Sequence, residues 1–312
     1  MKILIYIVIL GFCFNGIAQQ LPVFSLYNSN PYVLNPAFAG SKYYWDITLQ
    51  HRSQWVGYDD GPSTQLFSSH SRIDGAASAF GGYFYNDRNG VLGNIGFSGS
   101  YAYHADLSEV FELSFGVAAS FTQYKLLGNK VTLNSPTDNL IDASKGKAGA
   151  FNASFGSLFY SDNFYLGLSA LNILSPKIDY FSGTTTPLKT HFHLQTGGLI
   201  QISTNGSIQP AATINYLAGN PIGIEMQAVY EYVDIIKGGI GYRWKDAISF
   251  LIGVRLFDEL YLNYAYDLGI SNISKGHSGS HEIMLSYNFY YNPIYKNSKA
   301  KYNLGRIKKR PD

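Results

Sequence analysis

The sequence predicts an all-β protein, a transmembrane antiparallel β-barrel of about 14 strands with both termini on the periplasmic side. Three observations predict it. Polar and apolar residues alternate with a period of two along fourteen segments, with no comparable 3.6-residue pattern. The composition is rich in Tyr (26), Phe (20) and Gly (32) and carries only 14% charged residues. The long connections all fall on one side of the strand count.

The chain opens with Met1-Lys2, the apolar run "ILIYIVILGFCF" and then "NGIAQQ", in which Gly16-Ile17-Ala18 has the small-x-small pattern of a signal-peptidase site. Residues 1–18 are therefore expected to be a signal peptide, cleaved near Ala18-Gln19. A lipoprotein signal ending at Cys13 is disfavoured by Phe12, which stands where that processing needs a small residue. Removing the leader removes the only cysteine, so thiol catalysis, Cys-ligated metal and disulfides are excluded from the exported chain. The rest has no apolar run near the eighteen or so residues of a membrane helix.

Residues 19–42 are expected to be a periplasmic segment leading into the barrel. In "NPYVLNPAFAG" the pairs Asn30-Pro31 and Asn35-Pro36 favour turn and extended geometry, because Pro disfavours helix at the residue before it. The barrel itself is expected over 43–290.

Its candidate strands are 43–55, 63–72, 77–86, 93–104, 110–124, 147–160, 163–172, 191–202, 207–217, 222–232, 235–245, 247–256, 259–267 and 281–290. The alternation is clearest late in the chain. Ile222, Ile224, Met226, Ala228, Tyr230 and Tyr232 share one face, with Gly223, Glu225, Gln227 and Glu231 on the other. Ile248, Phe250, Ile252, Val254 and Leu256 likewise oppose Ser249, Gly253 and Arg255, and Ile283, Leu285, Tyr287 and Phe289 oppose Glu282, Met284, Ser286 and Asn288. A soluble sandwich shows similar alternation. Export, aromatic residues near strand ends (Trp55, Tyr101, Tyr103, Trp244, Tyr264, Tyr266) and a last strand ending Phe289-Tyr290 favour the membrane. Closure is then required, because an open sheet edge in lipid leaves backbone groups unpaired.

The long connections 125–146, 173–190 and 268–280 each follow an odd-numbered strand, as do the moderate ones at 56–62 and 87–92. Barrels of this kind keep short turns on the periplasmic side. The last residues, 291–312, form a basic periplasmic tail: they hold seven of the 23 Lys and Arg and one of the 21 acids, leaving 16 basic and 20 acidic residues elsewhere. Such a tail is either a disordered, solvated end or a binder of an anionic polymer or an acidic protein face, with nucleic acid not expected for an exported chain.

Parity turns Asp46, Glu112, Glu225, Glu231, Asp267 and Glu282 inward together with Arg52, Arg72, Lys237, Arg243 and Arg255. Signs so nearly balanced suit hydrogen-bonded networks bracing the lumen better than an ion-selective constriction. His191 and His193 share one strand face, which suits a metal only if a third ligand joins them, and no residue at suitable spacing does. No G-x-S-x-G elbow is present, and "GGIGYR" at 238–243 lacks the strand-to-helix setting of a nucleotide site. No catalytic residue, cofactor or metal site is expected.

Four stretches carry a further resemblance: "LNPAFAG" (Leu34 to Gly40), "RSQWVG" (Arg52 to Gly57), "GPSTQLFSSH" (Gly61 to His70) and "GSHEIMLSYNF" (Gly279 to Phe289). In order and spacing they resemble the PorP/SprF outer-membrane proteins of the type IX secretion system, over nearly the whole mature chain. Phe38, where the family often has Tyr, and Ser53, where it often has Asn, depart mildly, and the tail lies outside the shared pattern. The resemblance implies a non-enzymatic integral outer-membrane barrel. Its partners would be the lipid bilayer, the periplasmic ring and translocon of the secretion system, and secreted cargo such as adhesins, with gliding motility served by the same system.

On the matched positions, Asn35, Pro36, Gly40, Arg52, Gln54, Trp55, Pro62, Thr64, His70, Gly279, Ser280, His281 and Glu282 are candidates for a partner-docking or structural seam between the first hairpin and the last strand. Arg52, Gln54, His70 and Glu282 are expected to form a polar brace behind it, with Trp55 facing lipid at the outer interface. The simpler reading is that these residues only lock barrel closure. The alternative functions are a passive channel or small-molecule transporter, which predicts conductance or uptake by the purified protein, and a barrel hydrolase, which predicts turnover lost with one Ser or His.

Overall fold

Alternation with a period of two gives each strand a polar and an apolar face, and the sheet closes on itself so that the polar faces line a lumen. The computed structural model describes residues 22–42, 44–127, 147–181, 184–271, 274 and 276–289. The expected signal peptide and basic tail, with most of the 125–146 connection, lie outside the described residues.

Among the described residues seventeen strands are formed. They are β1 (Trp45–Ser53), β2 (Ser63–Arg72), β3 (Ser78–Asn89), β4 (Leu92–Asp106), β5 (Glu112–Leu126) and β6 (Lys147–Tyr160). Next come β7 (Phe164–Leu171), β8 (Lys177–Phe181), β9 (Thr184–Pro187), β10 (His191–Gly198), β11 (Ile200–Ser203) and β12 (Gly206–Leu217). The last are β13 (Gly223–Tyr232), β14 (Ile236–Arg243), β15 (Ala247–Arg255), β16 (Leu260–Gly269) and β17 (Ser280–Phe289). Antiparallel pairing runs around a closed ring, completed by β1 on β17 and β10 on β12. β10 and β11 are one stave interrupted at Leu199, so the barrel has fourteen staves, as the sequence predicts.

Three differences from the sequence reading have physical causes. The first strand ends at Ser53, because Trp55 takes a left-handed φ of 53° that turns the chain out of the sheet. The third and fourth strands extend to Asn89 and Leu92, leaving a tight turn at Gly90 (φ +60°) in place of a moderate loop. The 173–190 connection holds the β8–β9 hairpin, whose Ile178 and Leu188 are buried with Tyr124 and Ala150 over the β5–β6 side of the mouth.

In β1, Asp46, Thr48, Gln50 and Arg52 are buried toward the lumen while Trp45 and Leu49 are exposed outward. Outward Phe67, Phe84, Phe97, Phe121 and Phe151 are successive register partners, an unbroken aromatic row across five strands for lipid to cover.

The lumen is filled by the N-terminal segment. Ser25 lies beside Arg52 and Asp267, near the ends of β1 and β16 that carry the long loops. From there the chain crosses the lumen through two short 3-10 turns, Pro31–Leu34 and Pro36–Phe38. It leaves past Lys42 and Asp46 at the short-turn rim, where Lys42 Nζ and Asp46 are 3.0 Å apart. Tyr32, Ala37, Phe38 and Ala39 pack with Ala79, Ala102, Leu158, Tyr160 and Tyr165, and Leu26 packs with Leu251, Ala265 and Met284. The segment expected to lead into the barrel is thus a plug running through it.

Candidate functional site

The plug's foot is built from the two Asn-Pro pairs. Pro36 opens the second turn, where its missing N–H costs nothing, and Asn35 caps that turn by accepting the Ala37 N–H at 2.9 Å. The Asn35 amide also donates to the Ser157 and Leu168 carbonyls, at 3.2 and 3.3 Å. Plug carbonyls without helical partners are met from the wall: Leu34 by Ser169 (2.6 Å), Ala37 by Ser114 (2.9 Å) and Ala39 by His104 Nε2 (2.8 Å). Close approach needs glycine. A Cβ on Gly116 would strike the Pro36–Ala37 peptide, and one on Gly156 the Asn35 side chain. Gly40, at φ +68°, lies against Arg72 backbone and Ala79.

The plug's head is latched by charge. Arg52 donates from Nη1 to Glu282 (2.8 Å) and from Nη2 to Asp267 (2.6 Å), and all three side chains are buried. Ser25 sits among them with its hydrogen-bonding capacity filled. Its hydroxyl donates to Asp267 at 2.7 Å and accepts from Arg52 at 2.9 Å and Arg243 at 3.0 Å. The Ser25 and Leu26 N–H groups also donate to Glu282, at 2.8 and 3.0 Å, and Gln50 adds a fourth bond to that carboxylate at 2.6 Å. Arg243 extends the network to Glu225 at 3.2 Å and Asp246 at 3.1 Å. Charges taken out of water persist only when paired and hydrogen-bonded, and the plug's backbone supplies part of that satisfaction.

In this plugged fourteen-stave barrel three of the matched sequence stretches lie on the adjacent strands β1, β2 and β17, and the fourth, Leu34 to Gly40, is the plug's foot. The family model for type IX secretion system membrane protein PorP/SprF matches residues 16–287. The chain belongs to the PorP/SprF family. It is an integral outer-membrane barrel of the type IX secretion system. Among solved structures it is similar to a TodX monoaromatic hydrocarbon channel deletion mutant, at 12% identity and a TM-score of 0.50, over 85% of this chain and 95% of that one. It is also similar to the toluene transporter TodX of Pseudomonas putida (12%, TM-score 0.47, 84% and 94%) and to a Pseudomonas aeruginosa FadL homologue (13%, 0.43, 80% and 89%). At such identities the likeness concerns the barrel fold. No curated protein matches the chain.

The seam residues proposed for this PorP/SprF barrel separate into three places. Arg52 and Glu282 are register partners across the closure and form the latch. Thr64, on the other side of Arg52, is buried and donates to Asp87 at 2.6 Å. Gln54 lies past the strand end, where its backbone N–H meets the Pro62 carbonyl at 2.8 Å. His70 is not in the brace: it pairs with Asp46 in register at the short-turn end, lies tilted against the Tyr32 ring (4.7 Å) and accepts the Gly40 N–H at 3.3 Å. His281 faces outward, its Nδ1 2.6 Å from the Tyr264 hydroxyl.

At the long-loop rim, Trp55 is half-buried and stacks on His277 at 6.2 Å instead of ending a lipid-facing strand. Its N–H meets Ser280 Oγ at 3.2 Å, and Val56 exchanges backbone bonds with Gly279 (2.8 Å) and Ser278 (2.7 Å). The loops that follow β1 and precede β17 are thereby joined. Sequence parity turned Asp267 and Arg243 inward without bringing them to the brace. Gln50 and Ser25 carried no signal beyond polarity at an inward position and a serine in a polar segment.

Proposed function

We propose that this barrel is a closed, non-enzymatic scaffold of the type IX secretion system, supporting export or surface attachment of cargo such as adhesins and, through it, gliding motility. The observation that carries the reading is the plug: residues 24–41 fill the lumen and are tied to the wall at both head and foot. A lumen so occupied does not suit a passive channel or small-molecule transporter. The work then falls to the rims. By the usual sidedness of such barrels the short turns face the periplasm, toward the ring of the system, and the long loops face outside. The loop 54–62, joined to residues 277–280, lies beside the seam and presents Val56 and Tyr58 to solvent, an apolar edge for cargo.

The test is affinity purification of the tagged protein from its native outer membrane, with mass spectrometry of the co-purifying proteins. Secretion-ring components or a large surface protein carrying a secretion-signal domain are expected. A reproducibly solitary barrel that conducts ions in planar bilayers would overturn the reading in favour of a channel.

A further inference from the structure

On β10, His191 and His193 turn the same way into the lumen, each 7% exposed, with ring planes 13° apart and centroids separated by 6.3 Å. Neither Nε2 atom has a hydrogen-bond partner among the described residues. The next inward residue, Gln195, is 2% exposed, and its Oε1 is likewise unpartnered. Three buried polar atoms in a row without partners form a costly arrangement, which a ligand accepting their lone pairs would relieve.

The neighbouring rungs explain the vacancy of donors and fix the chemistry. His191 is flanked in register by Leu171 and Leu217, both buried and apolar. His193 is flanked by Ser169, whose hydroxyl is committed to the Leu34 carbonyl, and by Asn215. Asn215 Oδ1 lies 2.6 Å from His193 Nδ1 and also accepts from Thr213, while Asn215 Nδ2 donates to Glu225 at 3.2 Å. That oxygen can only accept, so His193 carries its proton on Nδ1 and presents a lone pair at Nε2. An imidazole oriented by an acceptor on its far nitrogen is the usual supporting arrangement of a metal ligand.

We propose that His191 and His193 bind one divalent transition-metal ion through their Nε2 atoms, with the Gln195 amide oxygen as a weaker third donor. An imidazole lone pair lies in its ring plane, so the two near-parallel rings must swing about their side-chain torsions until both Nε2 atoms face one ion. Imidazole and amide donors suit Cu²⁺, Ni²⁺ or Zn²⁺ and disfavour Ca²⁺ and Mg²⁺. Among the described residues no set of three His, Cys, Asp or Glu gathers around an ion, so the remaining coordination positions would fall to water. Its neighbours reach the plug on both sides: Ser169 holds Leu34, and Asn215 leads through Glu225 and Arg243 to Ser25.

Titration calorimetry of the full chain purified in detergent, with Cu²⁺ or Zn²⁺ alone, tests the proposal. One ion per barrel is expected, binding Cu²⁺ more tightly than Zn²⁺, and a His191→Gln/His193→Gln variant that keeps heat-modifiable migration should lose it. Asn215→Leu, which frees the far nitrogen, should weaken binding roughly 10- to 100-fold, whereas His281→Gln on the outer face should leave it unchanged. Equal binding by wild type and the double variant would overturn the proposal. Should the double variant not fold, a Cu²⁺ electron-spin-resonance spectrum of the wild type lacking coupling to imidazole nitrogens would overturn it equally.

Discussion

Arg52 of β1 and Asp267 of β16 meet at 2.6 Å although β17 lies between their strands. The guanidinium reaches over its own register partner, Glu282, and touches both carboxylates at once. Closure of the sheet is thus locked by side chains spanning three strands, and Ser25 of the plug is bound into the same lock.

Replacing Arg52 by Met should destabilise the barrel by about 3 kcal/mol, because Asp267 and Glu282 are left buried without their shared counter-charge. The urea midpoint for loss of heat-modifiable migration reads this directly. The triple variant R52M/D267N/E282Q, which removes the stranded charges, should recover much of the loss. A triple variant as weak as the single one would mean that shape, not charge, dominates the lock.

Deleting residues 22–40 should open the lumen. The intact protein is expected to be silent in planar bilayers, and the deletion variant to conduct at least roughly tenfold more. Ser25→Ala removes the hydroxyl that two arginines and Asp267 share and should give intermittent openings. Equal conductance of wild type and deletion variant would show that the plug does not seal the barrel.

The barrel was legible because its signal repeats: fourteen alternating segments each report the same two faces, and register follows from which face must be wet. The inward charges were legible for the same reason, and Arg72–Glu112 and Lys237–Glu231 do pair. The plug was not legible. Its residues owe their burial to fourteen distant strands, so nothing local in "FSLYNSNPYVLNPAFAG" distinguishes a segment outside the barrel from one threaded through it. His70 went astray because parity gives a residue's face but not its depth, and only register with Asp46 puts it at the far rim.

The wall glycines under the plug make a separate test. Gly116→Ala places a methyl group against the Pro36–Ala37 peptide, which has no flexible end to yield. Overpacking of this kind costs about 1–3 kcal/mol. Gly99→Ala, where a methyl meets nothing, is the control and should be neutral. If Gly116→Ala matches the control in stability and conductance, the plug foot is looser than its contacts indicate.

The external seam separates folding from docking. Tyr58 is 58% exposed, on a loop fastened by the Val56 bonds to Ser278 and Gly279 and by the Trp55–His277 stack. Tyr58→Ala removes only surface and should change stability by less than about 0.5 kcal/mol. Trp55→Ala releases the stack and lets the loops part. If cargo engages this edge, both variants should reach the outer membrane at normal abundance and recover less cargo in affinity purification, Trp55→Ala the more severely. Undiminished cargo with both would move the docking surface away from the seam and leave Arg52, Glu282 and their neighbours with barrel closure as their whole task.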